Sequence, residues 1–468
     1  IDDTARIQAA IDAVSKLPLD ENGLRGAVLL KKGEYRVADS IYIKVSGVSL
    51  IGEGQDEDGT VLLCTGKKSY NVIKITGNGN AVEDANSRTD IIDEYVPVGA
   101  KTITVSDATY YKEGDSIIVY RPSTAEWIHD IGMDNIIHST DSVVQWKAGD
   151  FDFKYSRIIT EIDGNKITLD NSIVNAIEKK YGGGYIYKYE YPGRINNCGI
   201  ENIRLVSEFD PTITTDYGSP IGKVYTDDKH GYIAVELDKI IDGWVRNVTG
   251  VHFSYSTVKM DYNENCKYLD GVSTLSGGFR YAFCIEGEQN LVKDCYVTRA
   301  RHAYVLGSRV KGPNVFLNCI GEDLYCNSEP HHRWSSGALF DNVKVSGTNT
   351  FFSAINRGNS GSGHGWSGAQ IVFWNCTAPF IMVMQPPTAQ NYAIGVGGFD
   401  DNLSNIQYIN SNIWWVERKS GAKLIYNGIP FIGDGYFESP DAPVNPRSLY
   451  YKQLEDRRAE DIISNKFK

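Results

Sequence analysis

One short signature recurs through the chain. Asn or Asp stands beside a small apolar residue in "IENIRL" (Asn202), "VRNVTG" (Asn247), "NENCKYL" (Asn265), "VKDCYV" (Asp294), "FLNCIG" (Asn318), "FDNVKV" (Asn342), "FWNCTA" (Asn375) and "YINSNI" (Asn410). Asp294, Asn318 and Asn342 are spaced by 24 residues, and the other gaps run from 18 to 45. One turn of a parallel β-helix uses about this length, and loop insertions lengthen single turns. A single turn cannot bury its apolar face, whereas stacked turns can, at about 4.8 Å per strand. Asn at the corner between strands can hydrogen-bond along the stack. A β-sandwich is the alternative, but it gives no reason for a repeated Asn-Cys.

The 468 residues exceed what one ordinary compact core organises, which also favours a repeat architecture. Helical periodicity is strong only at the start. In "DDTARIQAAIDAVSK", Ile7, Ala10, Ile11 and Val14 share a face, and Asp3 or Thr4 can cap it. Elsewhere, short β segments alternate with Gly, Asn and Asp. Residues 88–190 lose the Asn-Cys mark, and "SRIITEIDGNKITLD" reads as a hairpin turning at Asp163-Gly164. The division expected is therefore a helix and first coils over 1–87, a small inserted β domain over 88–190, the main coils over 191–420, and a Pro-rich, then helical tail over 421–468. The eight Cys include no CxxC pair and read as buried apolar residues.

"DDTARIQAAIDAV", "GAVLLKKGEYRVADSIYI" and "GVSLIGEG" resemble the N-terminal region of pectate-lyase-like right-handed β-helix proteins. The run "GPNVFLNC…HHRW…LFDNV…NRGNSGSGHGW…FWNC" is similar to uncharacterised bacterial members of that superfamily. The resemblance implies an all-β, right-handed parallel β-helix whose first helix is a cap. It implies an activity among polysaccharide lyases, glycoside hydrolases, esterases, epimerases and phage tailspikes. No stretch matches the calcium-and-arginine site of pectate lyases, so no site residue is carried over.

Two stretches carry the candidate chemistry: "SEPHHRWSSG" (328–337) and "NRGNSGSGHGWSG" (356–368). Aligning the coils on Asn318, Asn342 and Asn375 puts Arg309, Arg333 and Trp366 nine residues before each corner. Gly307, His331 and His364 lie eleven before. Arg309 should then stack on Arg333, and His331 on His364, with the glycine-rich excursion bringing Arg357 to the same groove. Cations stacked at strand spacing invite an anion between them; pairing of Arg333 with Glu322, Asp323 or Glu329 is the alternative.

A net charge of −12 argues against nucleic acid as a general partner, and no apolar run reaches membrane-helix length. The expected partner is an anionic polysaccharide, and the expected activity is β-elimination beside a uronate. Arg333 and Arg357 would neutralise the carboxylate, and His332 or His364 would take the proton. Arg301, His302, Arg309, His331, Trp334, Asn356 and Trp366 would bind substrate, with both indoles stacking on sugar rings. No cofactor is demanded. Ca2+ would substitute for an arginine if Glu322, Asp323, Asp400 or Asp401 held it, though none lies in a recognisable calcium loop. A glycoside hydrolase would instead need a carboxylate pair among Glu322, Asp323, Glu329 and Asp341. A non-catalytic, tailspike-like glycan binder is the third reading. A chain starting at Ile1 suits a mature secreted protein and a trimmed sequence equally; the location expected for a polysaccharide-cleaving protein is secreted, periplasmic or at the cell surface.

Overall fold

The computed structural model describes the chain except 138–142, 217, 219–221, 261, 276–279, 348–349, 399–402, 411–412, 419–422, 428–434 and 467–468. It describes the backbone alone at 262, within 403–427 and at 460–466. The architecture is a parallel β-helix with three strand columns. The first runs through 26–29, 48–51, 199–201, 244–246, 262–264, 291–293, 315–317, 339–341, 372–374, 392–394 and 436–438. A corner residue follows, and the second column continues through 204–207, 249–251, 267–269, 296–298, 320–322 and 344–345. The third column stacks Ile41–Ile43, Tyr70–Thr76, Gly231–Asp238, Ser256–Lys259, Tyr281–Ile285, His302–Ser308 and Glu329–His332.

The corner is the residue named by the repeat. Asn202, Asn247, Asn265, Asp294, Asn318, Asn342 and Asn375 all adopt left-handed backbone, with φ between 49° and 58°. Asn and Asp tolerate this region better than other non-glycine residues, because a short polar side chain can bond locally. The side chains link coils where neighbours are both Asn. Asn247 Nδ2 donates to Asn202 Oδ1 at 2.9 Å, and Asn265 Nδ2 donates to Asn247 Oδ1 at 2.8 Å. Asn410 departs from the expectation: it lies in an antiparallel sheet formed by Leu403–Asn410, Ile413–Arg418 and Lys423–Asn427.

The residue after most corners points inward. Cys198, Cys266, Cys295, Cys319 and Cys376 are buried free thiols, as the scattered spacing predicts. Phe316, Phe340 and Phe373 stack through the interior with ring centroids 4.8 and 4.9 Å apart, one strand spacing per coil.

The helix Thr4–Val14 buries Ile7 and Ile11 against the first coils. Asp3 occupies the N-cap position without a side-chain cap bond. Its carboxylate instead accepts from Arg36 N and pairs with Arg6, while Asp2 accepts from Thr4 N. Between residues 82 and 190 the pairing turns antiparallel. The hairpin there turns one residue later than expected: Asp163 pairs with Lys166, so Gly164 and Asn165 form the turn. The tail returns along the solenoid. Asn375 Nδ2 donates to the carbonyls of Val444 and Arg447, and Asp341 accepts from Ser448 Oγ and Tyr450 N at the start of the helix Leu449–Lys466.

Replacing Asn247 by Ala removes both ladder bonds and leaves a Cβ-bearing residue in left-handed backbone. The expected loss is about 2–4 kcal/mol in urea unfolding. Asn247→Gly should recover the backbone part, about 1–2 kcal/mol; equal losses in the two variants would contradict this account.

Candidate active site

The third column ends in a cluster of histidines. Register places Tyr281 beside His302, Leu306 beside Pro330 and Ser308 beside His332. The corner count holds over Val305–Ser308, which pairs with Glu329–His332, and slips by one residue beyond, where Lys311 pairs with Ser336; there Arg309 N donates to Arg333 O at 3.0 Å, and Arg333 N donates to His364 O at 3.0 Å. The excursion between Asn356 and Trp366 is closed by an antiparallel bridge and by Arg357 N donating to Gly365 O. Gly361, at φ +57°, lets the loop fold over the imidazole of His364; a Cβ there would lie 2.0 Å from the ring. The result is one assembly from two stretches. The rings of His331, His332 and His364 lie 5.2, 5.3 and 4.9 Å apart by centroid.

Beneath these rings lies an ion pair that the sequence did not reveal. Glu329 is fully buried; its Oε1 accepts from Arg357 Nη1 at 2.8 Å and lies 2.8 Å from His331 Nδ1. Its Oε2 accepts from Ser353 Oγ at 2.8 Å and from Asn327 Nδ2. Arg357 also donates to His331 O at 2.6 Å. Its guanidinium is thus a buried partner of Glu329 and holds the backbone of the cluster. This corrects the expectation that Arg357 grips a substrate carboxylate.

His331 Nδ1 stands between the Glu329 carboxylate at 2.8 Å and the Arg357 guanidinium at 3.0 Å, and its Nε2 lies 3.1 Å from Tyr281 Oη. The Ser360 carbonyl selects Nδ1–H on His364, leaving its Nε2 lone pair. His332 Nδ1 is buried and has no hydrogen-bond partner. Burial, then the neighbouring His364 and Arg333, push His332 down to about 3; burial and Arg357 push His364 down to about 4. Burial foremost also holds His331 and His302 well below the usual imidazole range. Tyr281 is pushed the other way, up to about 12, by burial. At neutral pH the cluster presents uncharged imidazoles and a protonated phenol.

Several expected ligand-binding residues are structural. Trp334 and Trp366 are buried against the 82–190 segment, where their Nε1 atoms donate to Asn175 Oδ1 at 2.9 Å and to Ile131 O at 3.0 Å. Trp334 also packs edge-on against Trp127, so neither indole is open to a sugar. Asn356 is 2% exposed and accepts from Gly358 N; His302 is fully buried, with Nδ1 on the Asn327 carbonyl at 2.6 Å. Arg333 is half-buried, and its Nη2 donates to Ser362 Oγ at 2.6 Å. Arg309 is exposed, donating to Asp150 O beside the Phe151 ring. Arg301 is half-buried near His302 and Tyr281.

The aromatic surface lies elsewhere. Tyr232, Tyr255 and Tyr281 step along the third column with ring centroids 5.0 and 5.3 Å apart, and Tyr281 continues to His331 at 5.1 Å. Tyr232 and Tyr281 are half-buried, and Tyr255 is 9% exposed. Position on this column is their only mark in the sequence.

Of the carboxylates considered for hydrolysis, Glu329 and Asp341 are fully buried and already bonded. Glu322 and Asp323 sit on Ile320–Leu324, in the second column, where Glu322 accepts from Tyr296 Oη. Asp400 and Asp401 lie outside the described residues. Nitrogen donors dominate the histidine cluster, which suits late first-row transition metals better than calcium.

No protein-family profile matches the chain, and no curated protein matches it. Its fold is similar to solved structures. One is the tailspike protein gp49 from Pseudomonas phage LKA1, with 15% identity and a TM-score of 0.44 over 84% of this chain. The chain spans 63% of that protein's length. A second is the Gp54 tailspike of Acinetobacter baumannii bacteriophage AP22, in complex with A. baumannii capsular saccharide, with 10% identity and a TM-score of 0.28 over 86% of this chain and 70% of that one. A third is the catalytic unit of a GH87 α-1,3-glucanase from Streptomyces thermodiastaticus, with 10% identity and a TM-score of 0.34 over 95% and 66%. These likenesses concern the fold: a parallel β-helix.

Two outcomes are expected. Arg357→Met strands the Glu329 carboxylate and should cost about 3–5 kcal/mol in urea unfolding. His332, His364 and His230, whose burial pushes it to about 4, stay neutral in the fold where free imidazoles, at 6.5, take up protons. Below pH 6.5 the unfolded chain binds more protons, so this contribution is complete above that pH and falls away toward about pH 4. The urea midpoint should therefore drop between pH 7.5 and 5, and less so in His364→Gln.

Proposed function

We propose that the protein is a polysaccharide lyase that cleaves an anionic, uronate-containing glycan by β-elimination at the histidine cluster. The observation that carries this reading is the composition of the site. The uncharged imidazoles of His332 and His364 stand beside Arg333, the Tyr281 phenol meets His331, and the carboxylate beside that ring, Glu329, is consumed by Arg357.

β-Elimination needs a cation on the uronate carboxylate, a base for the C5 proton and an acid for the departing oxygen. Arg333 takes the first role, with Arg309 one coil away. The imidazole of His332 or His364 accepts the C5 proton. The C5–H electron pair becomes the C4–C5 double bond as the C4–O bond breaks. Tyr281, whose raised pKa keeps its proton at neutral pH, protonates the leaving oxygen. The tyrosine column leading to Tyr281 supplies the sugar-stacking surface in place of the buried indoles. The hydrolase reading lacks a free carboxylate pair at this cluster among the described residues. Such a substrate is extracellular, which suits a secreted or surface protein.

Incubation with a panel of uronate polysaccharides should produce the ultraviolet absorbance of a conjugated C4–C5 double bond. Arg333→Ala should lower turnover by about 10²–10³. Loss of the base should lower it by about 10²–10⁴, so near-normal turnover in both His332→Ala and His364→Ala would remove the base assignment. Chain shortening without the absorbance would indicate hydrolysis, and tight glycan binding without cleavage a tailspike-like binder.

A further inference from the structure

Three imidazoles converge at the end of the third column. One ligand nitrogen from each of His331, His332 and His364 lies within 4.8 Å of the others. We propose that these histidines form a binding site for a late first-row divalent metal ion of the zinc type.

The second shell supports this. A metal-binding imidazole commonly gives its other N–H to a carboxylate or backbone carbonyl, which fixes the ring and aims the free lone pair. His364 has the Ser360 carbonyl at Nδ1, and His331 has the Glu329 carboxylate at Nδ1, with Arg357 Nη1 3.0 Å from the same atom. His332 contributes a buried Nδ1 with no hydrogen-bond partner, a polar atom that is costly to leave unsatisfied. Three nitrogen ligands with a fourth position left for water or substrate match the pattern of open zinc sites. Tetrahedral bonds of about 2.05 Å put ligand atoms about 3.4 Å apart, so the rings must close by at most about 1.4 Å. A metal on His331 Nε2 would displace the Tyr281 hydroxyl from that lone pair.

A second grouping, His302, Glu329 and His331, competes on paper. Its members are all buried, and the Glu329 charge is already matched by Arg357. His332 and His364 are half-buried, so an ion can reach the first trio from solvent. Two cations oppose metal binding there: Arg357, 3.0 Å from His331 Nδ1 and matched by Glu329, and Arg333, which Glu329 does not match.

The site does not rest on the lyase reading but meets it at one point. A metal occupies the lone pairs that the lyase uses as base, so zinc should silence elimination and a chelator should restore it. The test is titration of the full, tag-free chain with Co2+, read by visible ligand-field absorption and by calorimetry. One ion per chain is expected, with calcium and magnesium failing to compete. His332→Ala and His364→Gln should each weaken binding at least tenfold, the exposed His129→Ala should not, and Arg333→Met should tighten it. Circular dichroism would check that the variants fold. Absent cobalt bands, or bands retained in both cluster variants, would overturn the site. Cobalt binding by a chain that eliminates no uronate would keep the site and overturn the lyase. Elimination stimulated by zinc would keep the site and remove His332 and His364 as the base.

Discussion

The left-handed corner residue is the constraint on which the solenoid depends. At this corner each coil turns sharply with φ near +50°, and a β-branched residue would be strained there; Arg309 and Arg333 take the same left-handed backbone further along their coils. Asn and Asp accept the turn, and where two Asn are neighbours they also bond across coils. A fixed corner fixes the register of what surrounds it. Residues at equal distance before successive corners form columns, which is how Arg309 comes to lie on Arg333 and His331 beside His364. The site follows from the repeat that builds the core.

Burial above all keeps the cluster uncharged, and strand stacking adds to it. Burial penalises each charge, and at one coil per strand spacing neighbouring rings cannot all carry protons without strong repulsion. Glu329 could have supported an imidazolium, but Arg357 already balances it. The site thus keeps its lone pairs, which can take up a proton or a metal ion. The same spacing makes the tyrosine column, a run of rings about 5 Å apart that ends at the histidines.

Much of this was legible in the chain. The recurring Asn and Asp gave the corners, the Cys beside them the interior, and corner counting the meeting of the two histidine stretches. What stayed hidden depended on partners distant in sequence. The burial of Trp334 is decided by Trp127 and Asn175, and that of Trp366 by Ile131, all within a segment inserted some 150–240 residues earlier. Arg357 looked like a free cation because Glu329, 28 residues away, gives no sign in the sequence that it is buried. Tyr281 escaped because coil lengths vary. It stands thirteen residues before Asp294, while its register partner His302 stands sixteen before Asn318, so counting from corners misaligns them.

That buried pair bears on how an acidic chain would recognise an anion. The net charge of −12 would repel a polyuronate at long range, and only local charge can reverse this. At the cluster the single carboxylate is paired, whereas Arg333 is half-buried and Arg309 exposed one coil away. Salt screens the distant negative charge over about 8–10 Å, while partly buried cations in the groove are screened less. Under the lyase reading, Arg357 then acts without touching substrate. By matching Glu329 it balances the negative charge that, among the described residues, lies against the histidines, and the field there is left to Arg333 and Arg309.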